Sequence, residues 1–180
     1  DFSNGEGNKA YNCDGYTDWF LKPDINSGGS QSKTIDGDGV KITISHGANT
    51  DAGIIYRTWN NNNLKAGKDY LINDGLTGKA ADGSYLKTGK MSIKLSLTGL
   101  KPGTHSIQAF HNYPENLGGV TNPVLPTINV SLGDNVVLSD ISQTFQAETL
   151  AESTSTYVKF DVASNTDVIE ITYYTAADSN

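Results

Sequence analysis

A tryptophan followed by four asparagines is the pattern with the clearest chemistry in this chain. Trp59 ends a short apolar segment, and Asn60–Asn63 follow it directly. A flat aromatic ring can stack on the apolar face of a pyranose, while neutral amides donate to and accept from its hydroxyl groups. The pattern therefore predicts a sugar-binding site with Trp59 and Asn60 as ligand contacts. A second role is open for Trp59, since the indole could instead plug the core or cover it as a lid.

Arg57, the only arginine of the chain, stands two residues before this tryptophan. Its guanidinium could bind an acidic sugar, or sugar oxygens, through paired hydrogen bonds. The alternative is an ion pair with an acidic residue of the same domain. In a strand Arg57 shares a face with Trp59, whereas Tyr56 lies on the other face, where we expect it to join the core. Arg57 is therefore a third predicted ligand contact.

The segment His111-Asn112-Tyr113 closes a predicted strand and forms a second group of candidate contacts. Strand alternation gives His111 the same face as Ile107 and Ala109, so a buried, hydrogen-bonded histidine and a ligand contact are both open. Asn112 and Tyr113 leave the strand on this interpretation. We expect both of them to contact the ligand.

A third group is Tyr16, Asp18 and Trp19, in the sequence DGYTDW. Two aromatic rings beside a carboxylate in a loop are suitable for a sugar platform. They are equally suitable for anchoring a long loop to the body of the domain. Tyr16 and Trp19 are predicted as ligand contacts with this alternative left open.

Metal binding has little support in the sequence. None of the three histidines stands at a ligand spacing from a carboxylate on a matching face. The segment Asp36-Gly37-Asp38-Gly39 is similar to the start of a calcium loop, but it lacks the later glutamate of the EF-hand pattern. It predicts a turn. No cofactor is expected, and a structural Ca²⁺ is left open.

Catalysis is not expected either. A glycosidase needs two carboxylates about 5–10 Å apart across a cleft. Glu115, Glu148, Glu152 and Asp69 are candidates, but none stands in a recognisable motif. Cys13 has no histidine near it in sequence, and no nucleophile elbow is present. The chain is therefore interpreted as a binding protein rather than an enzyme.

The elements that must position these residues follow a period of two, which is typical of strands. Gly, Asn, Asp and Pro turn signals separate them. The longer connections are Gly15–Lys33 and Asn112–Pro126, and Leu64–Asp74 could hold one helical turn. The pattern predicts an all-β fold, an antiparallel β-sandwich of the jelly-roll kind. The predicted strands are 40–44, 91–97, 105–111, 127–132, 157–162 and 168–174.

Composition limits the partners. The chain has 180 residues, a formal net charge of −7 and no cluster of basic residues, which argues against nucleic acid. No apolar run approaches the length of a membrane span. A single cysteine excludes an internal disulfide. We expect one domain over residues 1–180, either a mature protein or a domain of a longer secreted, bacterial one.

The order of several segments resembles a known family. Gly99–Asn112, GLKPGTHSIQAFHN, places a Pro-Gly turn before a strand, and INVSLGDNVVLSDI and YVKFDVASNTDVIEITYYT follow in turn. Asp1-Phe2-Ser3 is similar to an opening (D/N)-F-G strand. Together they resemble the malectin-like carbohydrate-binding domains of the galactose-binding-like superfamily. The resemblance implies a galactose-binding-like sandwich whose last strand lies beside the first.

The resemblance also implies a non-catalytic glycan site at one edge of the sandwich. Its aromatic contacts correspond by position to Tyr113, to Trp59 with Asn60, and to Tyr16 with Trp19. The predicted function is a carbohydrate-binding module for a polysaccharide or oligosaccharide, attached to a catalytic or surface domain. A structural or protein-adhesion domain is the alternative, and a small polysaccharide-degrading enzyme comes third.

Overall fold

The fold is that of a computed structural model of the 180-residue chain. The structure describes residues 2–3, 19–20, 25–26, 29–35, 38–46, 53–58, 72, 74–78, 91–113 and 124–175. Within these ranges the chain forms strands, turns and one residue of 3₁₀ helix, and it has no α-helix. The prediction of an all-β fold is therefore confirmed.

Fourteen strands lie in the described part of the chain. They are β1 (Phe2–Ser3), β2 (Trp19–Phe20), β3 (Ile25–Asn26), β4 (Ser30–Thr34), β5 (Lys41–His46), β6 (Gly53–Thr58) and β7 (Asp74–Gly78) in the first half. The second half holds β8 (Ser92–Thr98), β9 (Gly103–Tyr113), β10 (Ile128–Leu132), β11 (Asn135–Ile141), β12 (Thr144–Phe145), β13 (Thr154–Val162) and β14 (Ile169–Thr175). The six segments with a clear period of two all form strands.

Six of the strands form one antiparallel sheet in the order β11-β10-β14-β8-β5-β4. Two three-stranded sheets, β12-β9-β13 and β3-β6-β7, provide partners for its inner face. Strands β9 and β13 pair along nine residues, from Thr154 opposite His111 to Val162 opposite Gly103. Only β1 with β2, and β12 with β9, pair in parallel among the described strands. The architecture is an antiparallel β-sandwich.

The core of the sandwich is made by the inward positions of these alternating strands. In β13 every second residue from Thr156 to Val162 is buried, and the residues between them are exposed. Val158 and Phe160 pack there against Val130 of β10 and Ile171 of β14, both of which have no solvent exposure. This packing joins the β9–β13 pair to the six-stranded sheet.

A second cluster joins β2, β3 and β6 to the other half of the large sheet. It contains Trp19, Ile25, Ile44, Ile54 and Ile93. Ile42 and Leu95 touch both clusters, so the core is continuous along the six-stranded sheet.

Two expectations about connectivity are wrong. The segment Gly15–Lys33 is more than a loop, because it contains β2, β3 and most of β4. The last strand does not lie beside the first: β14 is hydrogen-bonded to β10 on one side and to β8 on the other, while β1 pairs with β2. The reason is that β14 pairs along its length with β10 on one side and with β8 on the other, which leaves it no free edge for β1.

Gly99 marks a close approach between two turns of the large sheet. Its φ is +78°, and a Cβ placed on it would lie 2.5 Å from the carbonyl oxygen of Gly39. Gly39 itself has a φ of +68°, in the turn between β4 and β5 that the Asp-Gly sequence predicts. These turns hold the β4–β5 hairpin against the end of β8, and glycine at position 99 is required by space as well as by conformation.

Candidate functional site

Several of the predicted ligand contacts lie outside the described residues. Trp59, Asn60 and Tyr16 belong to this group. Arg57 lies in β6, where its backbone is opposite Gly75 of β7, and only the backbone is described. The predictions for these four residues stay predictions.

His111 serves the core rather than a ligand. It is 8% exposed, and its Nε2 shares a 2.9 Å hydrogen bond with the hydroxyl of Thr156 on β13. Its ring lies 5.7 Å from that of Tyr173 on the opposite sheet. Burial lowers the pKa of His111 to about 4, so the imidazole is neutral at physiological pH. The prediction of a ligand contact at His111 is therefore corrected in favour of the buried alternative.

Asn112 fastens three segments together. Its Oδ1 accepts a 3.0 Å hydrogen bond from the backbone N–H of Ala147, and its Nδ2 donates to the carbonyl of Ile72 at 3.4 Å. Both ends of the amide are thus used within the fold. The expectation that Asn112 leaves the strand is wrong, because β9 continues through it. Its contact with a ligand stays a prediction.

Tyr113 is the last residue of β9 and not a loop residue. Its ring stacks on Phe145 of β12 with centroids 6.4 Å apart, and its carbonyl accepts a 2.9 Å hydrogen bond from Gln146. One face of this half-buried ring is therefore occupied by the protein. Because the ring of Tyr113 packs β12 against β9, less of its surface is available to a sugar than the sequence predicts.

Trp19 has the anchoring role that the sequence left open. It is 8% exposed and packs in the cluster with Ile25 and Ile54. A sugar platform must offer a ring face to solvent, and this indole is buried. The predicted ligand contact at Trp19 is corrected, since its apolar surface is used to attach β2 to the core.

A different surface carries the combination of an exposed aromatic ring and polar side chains that was predicted at these positions. We call it the β9–β13 outer face, and it consists of the alternate side chains of two paired strands that point away from the core. At its centre Tyr157 is 62% exposed, although it is flanked in sequence by the buried Thr156 and Val158. The outer face comprises Thr104, Ser106, Gln108 and Phe110 from β9 and Ser155, Tyr157, Lys159 and Asp161 from β13.

Polar side chains surround the exposed ring in fixed positions. Gln108 is the direct cross-strand partner of Tyr157, and its Nε2 donates a 3.2 Å hydrogen bond to the hydroxyl of Ser155. Phe110, opposite Ser155, is the diagonal aromatic neighbour of Tyr157 and is half-buried. The result is an aromatic ring with an amide and a hydroxyl beside it, on a regular sheet.

The described acidic residues do not cluster with histidines or cysteines into a metal site. No group of three or more His, Cys, Asp or Glu among the described residues could hold a metal ion. Of the carboxylates considered for catalysis, Glu152 accepts a 2.9 Å hydrogen bond from the backbone N–H of Glu148, which closes a turn. No helix in the part of the chain that the structure describes is long and apolar enough to span a lipid bilayer.

Comparison with known proteins gave no match to a family model, to a curated protein or to a solved structure. The resemblance to malectin-like domains therefore stays a hypothesis. The geometry of the site is what supports a function.

The sequence contains a signal for the outer face in the alternation of β13. In the segment Tyr157–Val162 the apolar residues Val158, Phe160 and Val162 alternate with Tyr157, Lys159 and Asp161. If the first set is core, the second set must face outward. Tyr157 is then an aromatic residue on the solvent side of a strand, where its ring is accessible.

Proposed function

We propose that this protein is a non-catalytic carbohydrate-binding module for a plant or microbial polysaccharide. The observation that carries the proposal is the exposure of Tyr157 beside an amide and a hydroxyl on the β9–β13 outer face. On this proposal the module is secreted or held at a bacterial cell surface, and it brings an attached enzyme or surface protein to its glycan.

The chemistry of the outer face suits a sugar chain. The ring of Tyr157 can stack on the C–H face of a pyranose, and the amide of Gln108 and hydroxyl of Ser155 can exchange hydrogen bonds with the sugar hydroxyls. Paired strands fix the backbone spacing of these groups before binding, so that only the exposed side chains have to be ordered by the ligand. We expect a dissociation constant of about 10⁻³–10⁻⁶ M, or about −4 to −8 kcal/mol, which neighbouring modules could strengthen through avidity.

The loop contacts are a second part of the proposal. Trp59 with Asn60, Arg57 and Tyr16 are candidate contacts on the chemistry of their side chains. Tyr113 adds a half-buried ring at the end of β9. A ligand bound there and a ligand bound on the outer face would respond to different substitutions.

Affinity electrophoresis against a panel of soluble polysaccharides tests the proposal. We expect at least one glycan to retard the wild-type protein, and Tyr157→Ala to abolish the retardation while Tyr157→Phe keeps most of it. Val136→Ala is the matched control, because Val136 is 57% exposed and lies on β11 of the other sheet. Trp59→Ala reports on the loop contacts. Failure of every glycan to retard the wild-type protein would exclude a carbohydrate-binding module.

One observation favours the alternative of a protein-adhesion domain. Val136 and Val137 are 57% and 42% exposed on β11, the strand at one end of the six-stranded sheet. Apolar side chains on an edge strand favour association with another chain. β4 at the other end has the polar sequence SQSKT. If adhesion is the function, Val136→Lys should abolish self-association or partner binding in sedimentation, and Tyr157→Ala should leave it unchanged.

A further inference from the structure

The β9–β13 outer face carries one cation, and that cation is next to the exposed ring. Lys159 follows Tyr157 by two residues on β13, so the two side chains stand about 7 Å apart on the same side of the strand. Lys159 is exposed, and its cross-strand partner is the uncharged Ser106. Its ammonium forms no ion pair with any of the described residues.

The one carboxylate of this face is already engaged. Asp161 stands two residues beyond Lys159, and its Oδ1 accepts a 2.6 Å hydrogen bond from the hydroxyl of Thr104 opposite it. Along β13 the order is therefore aromatic ring, cation, anion. A sugar stacked on Tyr157 has the ammonium as its neighbour, and the carboxylate lies one step further away.

The local charge differs from that of the whole chain. The protein has a formal net charge of −7, so it repels polyanions in general. On the outer face Lys159 and Asp161 balance each other, and the half around Tyr157 holds only the positive member of the pair. This half is suited to a ligand that offers one carboxylate beside an apolar ring face.

We propose that Lys159 binds the carboxylate of a uronic acid in a polysaccharide. The sugar that stacks on Tyr157 is either this uronic acid or its neighbour in the polysaccharide. The ligand class is then a uronic-acid-containing polysaccharide. This inference rests on the proposed carbohydrate-binding function and names the substrate class of the same surface. An exposed ion pair contributes modestly, so we expect about a two- to fivefold preference for the charged polymer.

Polygalacturonate and its full methyl ester provide the test, because they share a backbone and differ in charge. Alginate serves as a second polyuronate. At about 0.1 M salt, where the repulsion from distant acidic residues is largely screened but the contact of Lys159 is not, the wild-type protein should bind polygalacturonate about two- to fivefold more tightly than the ester. The difference should shrink near about 1 M salt. Lys159→Gln should remove the preference and leave binding of the ester unchanged. Asp161→Asn should increase the preference, since it removes the nearby negative charge.

The outcomes separate this inference from the function on which it rests. If Lys159→Gln leaves the ratio of the two affinities unchanged while Tyr157→Ala abolishes binding, the carboxylate subsite is excluded and the carbohydrate-binding function stands. If the wild-type protein binds neither polyuronate but is retarded by a neutral glycan, the uronic acid is likewise excluded. Binding of no glycan at all would exclude both.

Discussion

Acidification should destabilise this fold through His111. The ring is buried between the two layers, where its neighbours are the hydroxyl of Thr156 and the ring of Tyr173. Burial lowers the pKa of His111 to about 4, against 6.5 for an exposed histidine. The folded state therefore binds fewer protons than the unfolded state between these two pH values. Stability is fully present above pH 6.5 and is lost as the pH falls toward 4.

The size of the effect follows from the two pKa values. A histidine that titrates at 6.5 when unfolded and at about 4 when folded lowers the free energy of unfolding by about 2 kcal/mol between pH 7 and pH 5. The loss reaches about 3 kcal/mol by pH 4 and then levels off. Against a domain stability of about 5–15 kcal/mol this is a large fraction.

Urea denaturation of the wild-type protein and of His111→Gln at several pH values isolates this contribution. Glutamine keeps a donor and an acceptor near Thr156 but does not titrate. At pH 7 the wild-type protein should be the more stable of the two, since glutamine fills the site less well. The difference in free energy of unfolding should shrink by about 2 kcal/mol at pH 5. His46, whose pKa burial also lowers, is present in both proteins and cancels.

A stability difference between the two proteins that stays constant from pH 7 to pH 4 would refute the reasoning. It would mean that His111 gains a proton as readily in the fold as in the unfolded chain. Direct titration of the His111 ring protons by NMR gives an independent check. A midpoint near 6.5 rather than near 4 would have the same meaning.

Three further pairs of substitutions test the packing that positions the site, and each is measured by urea denaturation. Gly99→Ala should lower the free energy of unfolding by about 2–4 kcal/mol, because the new Cβ meets the carbonyl oxygen of Gly39 at 2.5 Å. Gly133 has a φ of +56° but open space around it, so Gly133→Ala should lower the free energy of unfolding by only about 1 kcal/mol. Val130→Ala should cost about 2–3 kcal/mol through a cavity in the core, and the exposed Val136→Ala less than about 0.5 kcal/mol. Asn112→Ala should cost about 2–3 kcal/mol through two lost hydrogen bonds. Asn112→Asp keeps the acceptor for the Ala147 N–H but places a carboxylate oxygen against the Ile72 carbonyl, so it should also destabilise the fold.

Strands that bury one face were predictable because their apolar residues alternate. The sequence Tyr157–Val162 shows the rule: Val158 and Phe160 are buried, and Lys159 between them is exposed. Short polar strands were not predictable in this way. β4, SQSKT, has no apolar residue and pairs with β5 at the end of the large sheet, so its strand conformation comes from the neighbour and not from its own side chains.

The candidate site was predicted less well than the fold. Aromatic residues near loops were expected to meet the ligand, but Trp19 is core and Tyr113 stacks on Phe145. An aromatic side chain suits a buried site and a sugar platform equally, since both use its apolar surface. Sequence spacing alone does not tell these uses apart.

What the sequence determined by itself is local: the strands with a period of two, the turn at Gly39, and the division of β13 into an inner and an outer set of side chains. What the tertiary structure decided is which sets are covered. His111 and Tyr157 both belong to alternating strands, yet one is sealed between two sheets and the other is open to solvent. The physical reason is that burial depends on contacts between strands far apart in the chain, such as β9 with β13 and β14 with β8, which no local pattern specifies.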